Sequence, residues 1–289
     1  GAEELRQFVE KYQLPTVSTL LGLGLLPQDH PYFLGMGGMH GTYAANMALM
    51  ETDLLINIGS RFDDRLACSP EAFAPHAKVA HIDVDPVEIG KIIHTDIPIV
   101  GDAKVALKQM LSIEIPAPDC EEWRMVCKAR QQRYPLKYEW NEKVIKPQAV
   151  IEIIGRITEG KSYIVTDVGQ HQMWVAQFYP FQFSKQLLTS GGLGTLGYGI
   201  PAGIGTKFGK PNDSVVVFVG DGGFQMTNQE LAILNQNNLD IKFVLLNNQS
   251  LGMVRQWQEK FFNERRSQSV FHEQPDFMKM AEAYGIGSK

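Results

Sequence analysis

The sequence predicts an α/β protein of two domains, each built on a parallel sheet flanked by helices. Three observations lead there. Short β-branched runs alternate with helical stretches along the chain, the pattern of strand–helix–strand crossovers. The run Val215, Val216, Val217, Phe218, Val219 is apolar without alternation, as a parallel strand covered on both faces should be. The length of 289 residues, at about 150 residues per domain, accommodates two domains.

Taken in order, residues 1–10 read as a charged amphipathic helix. Residues 16–20, 54–58 and 79–83 read as strands, alternating with helices over 44–52 and 102–111. The stretch 113–119 holds two prolines, Pro116 and Pro118, and has no periodicity, which marks a linker. A charged stretch bearing Trp and Tyr follows over 121–140. The expected division is a first domain over 1–115, a linker over 116–145 and a second domain over 146–289. In the second half a helix over 147–158 starts with Pro147 at a first helical position and stops before Gly160. Strands over 163–166, 215–219 and 241–246 come next, with a helix over 228–235 opened by the capping-box spacing of Thr227 and Glu230.

Composition excludes several classes. Hydrophobic residues at 44% and charged residues at 20% are globular values, not those of a disordered chain. The net charge of −5 argues against general nucleic-acid binding. No apolar run approaches the ~18 residues of a membrane span. The three cysteines, Cys68, Cys120 and Cys127, make neither a CxxC nor an even framework, which points to a reducing compartment without zinc or disulfides. A bacterial cytoplasm is the simplest expectation, or an organelle if a targeting peptide lies upstream. The chain opens on a helix where such units usually open on a strand, and stops just after one, so a piece of a longer protein is expected.

The strongest chemical signal follows the apolar strand. In Gly220, Asp221, Gly222 and Gly223, glycines would let backbone N–H groups form a concave nest for an anion, beside the N-terminus of the next helix. Asp221 stands at a strand's carboxyl end, where open α/β sheets bind ligands. Its charge would repel a phosphate unless a divalent cation lay between them. Asn247 and Asn248 end the next strand, with Asn248 27 residues beyond Asp221, enough for one crossover. Carboxylate, amide oxygen, backbone carbonyl and phosphate oxygens make a hard set suited to octahedral Mg²⁺. Gly192, Gly194 and Gly197 match GxGxxG, with Asp213 downstream, but Pro201 and a turn position for Asp213 argue against a dinucleotide fingerprint there.

Gly220-Asp-Gly with Asn247-Asn248 resembles the signature of thiamine-diphosphate enzymes. Val168-Gly-Gln-His-Gln-Met-Trp174, the glycine-rich run from Ser190 to Gly199, and Gly252-Met-Val-Arg-Gln-Trp257 narrow the likeness to the acetolactate synthase (acetohydroxyacid synthase) family. Met39-His40-Gly41 and Arg61-Phe-Asp-Asp-Arg65 resemble that family's flavin-binding middle domain. The resemblance runs along essentially the whole chain. It implies a flavin-binding middle domain followed by a thiamine-diphosphate-binding domain, and three cofactors: thiamine diphosphate, Mg²⁺ and a structural FAD. Asp221, Asn248 and the carbonyl of Ser250 would hold Mg²⁺. Gln170, His171, Gly194, Gly220, Gly222, Gly223, Gly252 and Met253 would contact thiamine diphosphate. His40, Gly41, Gly59, Arg61, Asp83 and Asp102 would line the FAD site. Leu196 would be the apolar wedge that bends the cofactor, Arg65 would hold the carboxylate of a second keto acid, and Trp257 would shape its pocket. The implied reaction decarboxylates pyruvate and joins the two-carbon unit to a second 2-keto acid, pyruvate or 2-ketobutyrate. The implied assembly is a homodimer or homotetramer, with a possible regulatory subunit. A pyrimidine-binding domain would precede this chain and a closing segment follow it, leaving the chain inactive alone. Two alternatives remain open: a related flavoenzyme such as pyruvate oxidase, and a non-catalytic cofactor-binding homologue. Read without the resemblance, His171 is a packed helix histidine, Arg61 and Arg65 pair with neighbouring aspartates, and Trp257 is core. His30, His76, His81, His94 and His272 show no ligand spacing.

Overall fold

The computed structural model describes all 289 residues, which divide into two units: 1–139 with 182–185, and 140–181 with 186–289. The expected α/β class is what the chain adopts, with parallel sheets flanked by helices in both units.

The first unit runs α1 (Ala2–Tyr12), β1 (Thr16–Ser18), β2 (Phe33–Met36), α2 (Tyr43–Glu51), β3 (Leu54–Ile58), β4 (Lys78–Asp83), β5 (Ile97–Val100), α3 (Ala103–Ser112) and α4 (Glu121–Arg133). β1 and β2 pair in parallel, and β3, β4 and β5 form a parallel sheet in that order. Ile58 lies opposite Ile82, and Asp83 opposite Val100, so the three carboxyl ends are level. Two of these helices, α2 and α3, start where a side chain satisfies a free N–H group. Thr42 Oγ1 accepts from the Ala45 N–H at 3.1 Å, and Asp102 Oδ1 from the Val105 N–H at 3.0 Å. Phe8 and Tyr12 of α1 pack with Leu107 of α3. In the segment read as a linker, α4 packs Cys127 and Trp123 against Leu34, Ala45 and Ala48. Burial pushes the Cys127 thiol up to about 11, so it stays a neutral core group.

The second unit runs α5 (Pro147–Ile157), β6 (Tyr163–Thr166), α6 (Gln170–Phe178), β7 (Leu187–Thr189), α7 (Gly199–Gly209), β8 (Val215–Gly220), α8 (Asp221–Thr227), a 3₁₀ turn (Asn228–Leu231), α9 (Ala232–Gln236), β9 (Lys242–Leu246), α10 (Gly252–Phe261) and α11 (Phe277–Ala283). Its sheet is parallel in the order β7-β6-β8-β9. Every residue of β8 is buried, as its unbroken apolar run requires. Val215 and Val217 pack with Ala202 of α7, and Val219 with Ile200 and Ile204. The chain leaving β6 turns to β7 on one side, and the chain leaving β8 continues to β9 on the other. The carboxyl ends of β6 and β8 therefore flank a topological switch point, the crevice where open α/β sheets take ligands.

Three local expectations need correction. Gly222 and Gly223 do not form a nest: α8 begins at Asp221, and neither glycine has a positive φ. They are glycines because of close approach, since a Cβ would stand 2.6 Å from Leu251 Cδ2 at Gly222 and 2.2 Å from Asp167 Oδ1 at Gly223. Thr227 and Glu230 make no capping box. The Thr227 hydroxyl donates instead to the Gly197 carbonyl at 2.9 Å, and the expected helix splits into the 3₁₀ turn and α9. Pro201 does not argue against a helix after Gly197, because it is the third residue of α7, in the first turn where proline costs no hydrogen bond. Gly192–Gly197 thus lies between β7 and α7, while Asp213 sits in the turn before β8.

Candidate functional site

The carboxyl ends of β6, β8 and β9 open on one cavity of about 460 Å³, contained within the second unit. Gln170, His171, Gly194, Leu196, Gly220, Asp221, Gly222, Gly223, Asn248, Ser250, Gly252 and Met253 all line it. Each is there for a topological reason. Gln170 and His171 begin α6 after β6, Asp221 begins α8 after β8, and Asn248 and Ser250 lie between β9 and α10.

Asp221 is 1% exposed, and burial raises its carboxyl above the usual carboxylate range. The Gln274 side-chain amide donates to Asp221 Oδ2. Asn248 Oδ1 accepts from the Ser250 N–H at 3.1 Å, and Asn248 Nδ2 donates to Gln170 Oε1 at 3.4 Å. Gln170 Nε2 in turn donates to Gln256 Oε1 at 3.1 Å. His171 is 6% exposed, and burial lowers its pKa to about 4 despite the nearby Asp167. Its Nε2 is buried without a hydrogen-bond partner, while the ring also bonds the backbone of Asp167. An orphaned buried nitrogen of this kind calls for a ligand.

Asp167 was not singled out from the sequence, and it organises this region. Fully buried at the end of β6, its Oδ1 accepts from the Gly197 N–H at 3.1 Å and its Oδ2 from the Gly199 N–H at 2.7 Å. These bonds hold the turn that brings Leu196 to the cavity. The available signal was the one used for Asp221, an acid at a strand's carboxyl end. Trp174, Ile145 and Pro147 also line the cavity unforeseen. Trp257 does not line it; its ring stacks, tilted, on Phe261 at 5.2 Å.

In the first unit, Gly59, Asp83 and Asp102 share the carboxyl edge of the β3-β4-β5 sheet. Gly59 has φ +68° with nothing within 4 Å of where a Cβ would stand, and Gly101 leaves similar open space. Asp83 Oδ1 accepts from the Asp85 N–H at 2.9 Å, and Asp102 is the cap of α3. Arg61 and Arg65 follow β3, both exposed, with Arg65 Nη1 bonded to Asp64 Oδ2 at 3.0 Å. His40 and Gly41 sit in the turn after β2, tied to the loop after β3 by the Met39 N–H donating to the Arg65 carbonyl at 2.7 Å. His81, beside Asp83, is fully buried with neither ring nitrogen hydrogen-bonded.

Residues 167–289 match the family model described as thiamine pyrophosphate enzyme, C-terminal TPP binding domain, and residues 1–110 match thiamine pyrophosphate enzyme, central domain. The chain belongs to the thiamine pyrophosphate enzyme family. It is similar to the acetolactate synthase large subunit of Lactococcus lactis subsp. lactis (strain IL1403), with 59% identity over 281 residues, covering 97% of this chain and 49% of that protein. Against the acetolactate synthase isozyme 3 large subunit of Escherichia coli (strain K12), identity is 45% over 289 residues, 98% of this chain and 50% of that protein. Against the acetolactate synthase of Mycobacterium leprae (strain TN) it is 46% over 295 residues, 99% and 47%. The chain spans about half the length of these relatives.

The residues present fit the cofactor of a thiamine pyrophosphate enzyme. The N-termini of α6 and α10 bring free N–H groups and a positive dipole to one cavity, which favours a diphosphate. The orphaned His171 Nε2 lies among them. Asp221, Asn248 and the Ser250 backbone offer oxygen ligands of the kind Mg²⁺ takes. No cluster of three or more His, Cys, Asp or Glu side chains is present, so this donor set is a mixed one. No helix is long and apolar enough to cross a membrane.

Proposed function

We propose that this chain is the flavin-binding and diphosphate-binding half of an acetolactate synthase catalytic subunit. The observation that carries the reading is the single cavity uniting Asp221, Asn248, Gln170, His171 and Leu196 at the switch point of the second sheet. The similarity to acetolactate synthase large subunits along nearly the whole chain supports the same reading.

Asp221, Asn248 and the Ser250 carbonyl hold Mg²⁺, which removes the repulsion between the Asp221 carboxylate and a diphosphate. Gln170, His171 and the N–H groups around Gly222, Gly223, Gly252 and Met253 hold the phosphates, with Gly194 and Gly220 giving backbone access. His171, whose ring burial keeps neutral without a ligand, would hold a phosphate through its unpartnered Nε2 if that nitrogen carried a proton. Leu196 presents an apolar wall to the rings of the cofactor. Thiamine diphosphate, when bound, supplies the electron sink through which a 2-keto acid loses CO₂ and its former carbonyl carbon becomes a nucleophile. Arg65 binds the carboxylate of the second keto acid, a task suited to its planar, permanently charged fork. Trp257 shapes the pocket for that substrate. His40, Gly41, Gly59, Arg61, Asp83 and Asp102 hold FAD in a structural role. The whole enzyme is a homodimer or homotetramer of the bacterial cytoplasm. The large-subunit names of the relatives point to a smaller partner subunit as well.

The test is product analysis from pyruvate with thiamine diphosphate, Mg²⁺ and FAD, using the native-length protein and the 289-residue chain in parallel. The expected result is acetolactate and CO₂ from the native-length protein and none from the 289-residue chain. Acetate or acetyl phosphate with flavin reduction would make the protein an oxidase instead.

A further inference from the structure

Gln274 lies 53 residues from Asp221 in sequence, yet its side-chain amide donates to Asp221 Oδ2. The segment that delivers it is fixed at both ends. On one side Val270 bridges antiparallel to Ser250, with the Leu251 N–H donating to the Ser269 carbonyl and the Phe271 N–H to the Gln249 carbonyl, both at 2.9 Å. The Phe271 ring lies against Gly222, within 3.5 Å of where a Cβ would stand. On the other side Asp276 caps α11, accepting from the Met278 and Lys279 N–H groups at 3.1 Å. Gln274 precedes Pro275, which restricts its backbone to extended conformations. The amide is therefore presented by a short, doubly anchored strap.

We infer that Gln274 is a positioning residue for the divalent cation: its amide fixes the rotation of the Asp221 carboxylate so that the carboxylate meets the metal in one orientation. The inference rests on the reading of Asp221, Asn248 and Ser250 as the metal ligands. The residue type suits the task. A ligating carboxylate needs a hydrogen-bond donor behind it to hold its orientation. A Lys or Arg would supply a donor but neutralise the charge that attracts the cation, whereas the amide of Gln supplies a donor and no charge. The same strap carries the Ser250 pairing, so the loop between β9 and α10 and the Asp221 carboxylate are braced by one segment.

The experiment compares the native protein with Gln274→Ala and Gln274→Met, the second of which keeps length and packing but cannot donate. The Mg²⁺ dissociation constant is measured by calorimetric titration with thiamine diphosphate in excess, and the Tm is measured in EDTA. The expected result is Mg²⁺ affinity weakened roughly 10- to 100-fold in both variants, the range for loss of a group that orients a ligand. The metal-free Tm should stay within a few degrees of the native value. An unchanged or tighter Mg²⁺ constant overturns the inference, the second by making the amide a competitor of the cation. A metal-free Tm that falls in step with affinity overturns it too, because Gln274 would then be a packing residue. A native protein that takes up no Mg²⁺ at all overturns the metal reading itself, and is distinguishable from these results because it needs no variant.

Discussion

The two units carry their candidate sites on the same device, the carboxyl edge of a parallel sheet, and surround it differently. In the second unit β8 is covered along its length, and Asp221 and His171 are nearly inaccessible, while Asn248 is exposed. In the first unit β5 is largely exposed and Arg61, Arg65 and Asp102 face solvent, while Asp83 and the neighbouring His81 are buried at that edge. A buried polar group costs stability unless it is paired, whereas an exposed one costs little. In the second unit Asp221 and His171 are therefore buried groups that a ligand would satisfy. In the first unit, the exposed residues at the edge can serve a ligand with little effect on the fold.

The largest expected separation between the units is in acid. Burial lowers the His171 pKa from the ordinary imidazole value of 6.5 to about 4. Between those values the unfolded chain binds the proton and the folded chain does not, so stability rises with pH and is lost as pH falls from about 6.5 toward 4. At about 1.4 kcal/mol per pKa unit the loss attributable to this ring approaches about 3 kcal/mol. Urea unfolding of the ligand-free protein across this range should show a slope that His171→Gln lacks. Equal slopes would mean that the ring is solvated.

The next contrast uses two glycines. Gly223→Ala places a methyl against Asp167 Oδ1, an overlap that costs about 1–3 kcal/mol and shifts the mouth of the cavity. Gly59→Ala meets open space and is opposed only by φ +68°, at a cost of about 1–2 kcal/mol. Gly223→Ala should weaken thiamine diphosphate binding, while Gly59→Ala should leave it unchanged. Calorimetry on the pair reads both. Similar effects on thiamine diphosphate would contradict the close approach seen at Gly223.

The smallest effect is at Asp102. As the cap of α3, its replacement in Asp102→Ala should cost about 1 kcal/mol, seen as a modest fall in Tm. Asp102→Ser retains a side-chain oxygen and should recover most of it. A loss well above that of an exposed cap would show that Asp102 is coupled to more of the fold.

How far the sequence could be read follows from where each signal is local. β3 and β6 have the bounds their residues suggest, and β8 extends only to Gly220, because β-branched runs signal within themselves. β2 contains Gly35, β5 contains Pro98 at a sheet edge, and β7 is three residues long, so none carries a sufficient local pattern. α7 holds Gly199, Gly203, Gly205 and Gly209, which propensity alone would not make helical. Packing overrides it: a Cβ at Gly203 would meet Val217 Cγ2 at 2.4 Å, so the glycine lets α7 lie close on β8. Asp221 and Asn248 were legible because both stand at strand ends, where topology converges. Gln274 was not, because its place depends on long-range packing that no motif encodes; Trp174 stands one turn beyond Gln170 on α6, a local spacing that goes unused in the sequence reading.

We propose the cavity of the second unit as a metal-dependent thiamine diphosphate site. Its most direct test is titration of the native protein with thiamine diphosphate, with Mg²⁺ and with EDTA, alongside Asp221→Ala. Tight binding is expected only with Mg²⁺, and it should be lost in the variant. Binding of equal strength in EDTA, or undiminished binding by Asp221→Ala, would contradict it.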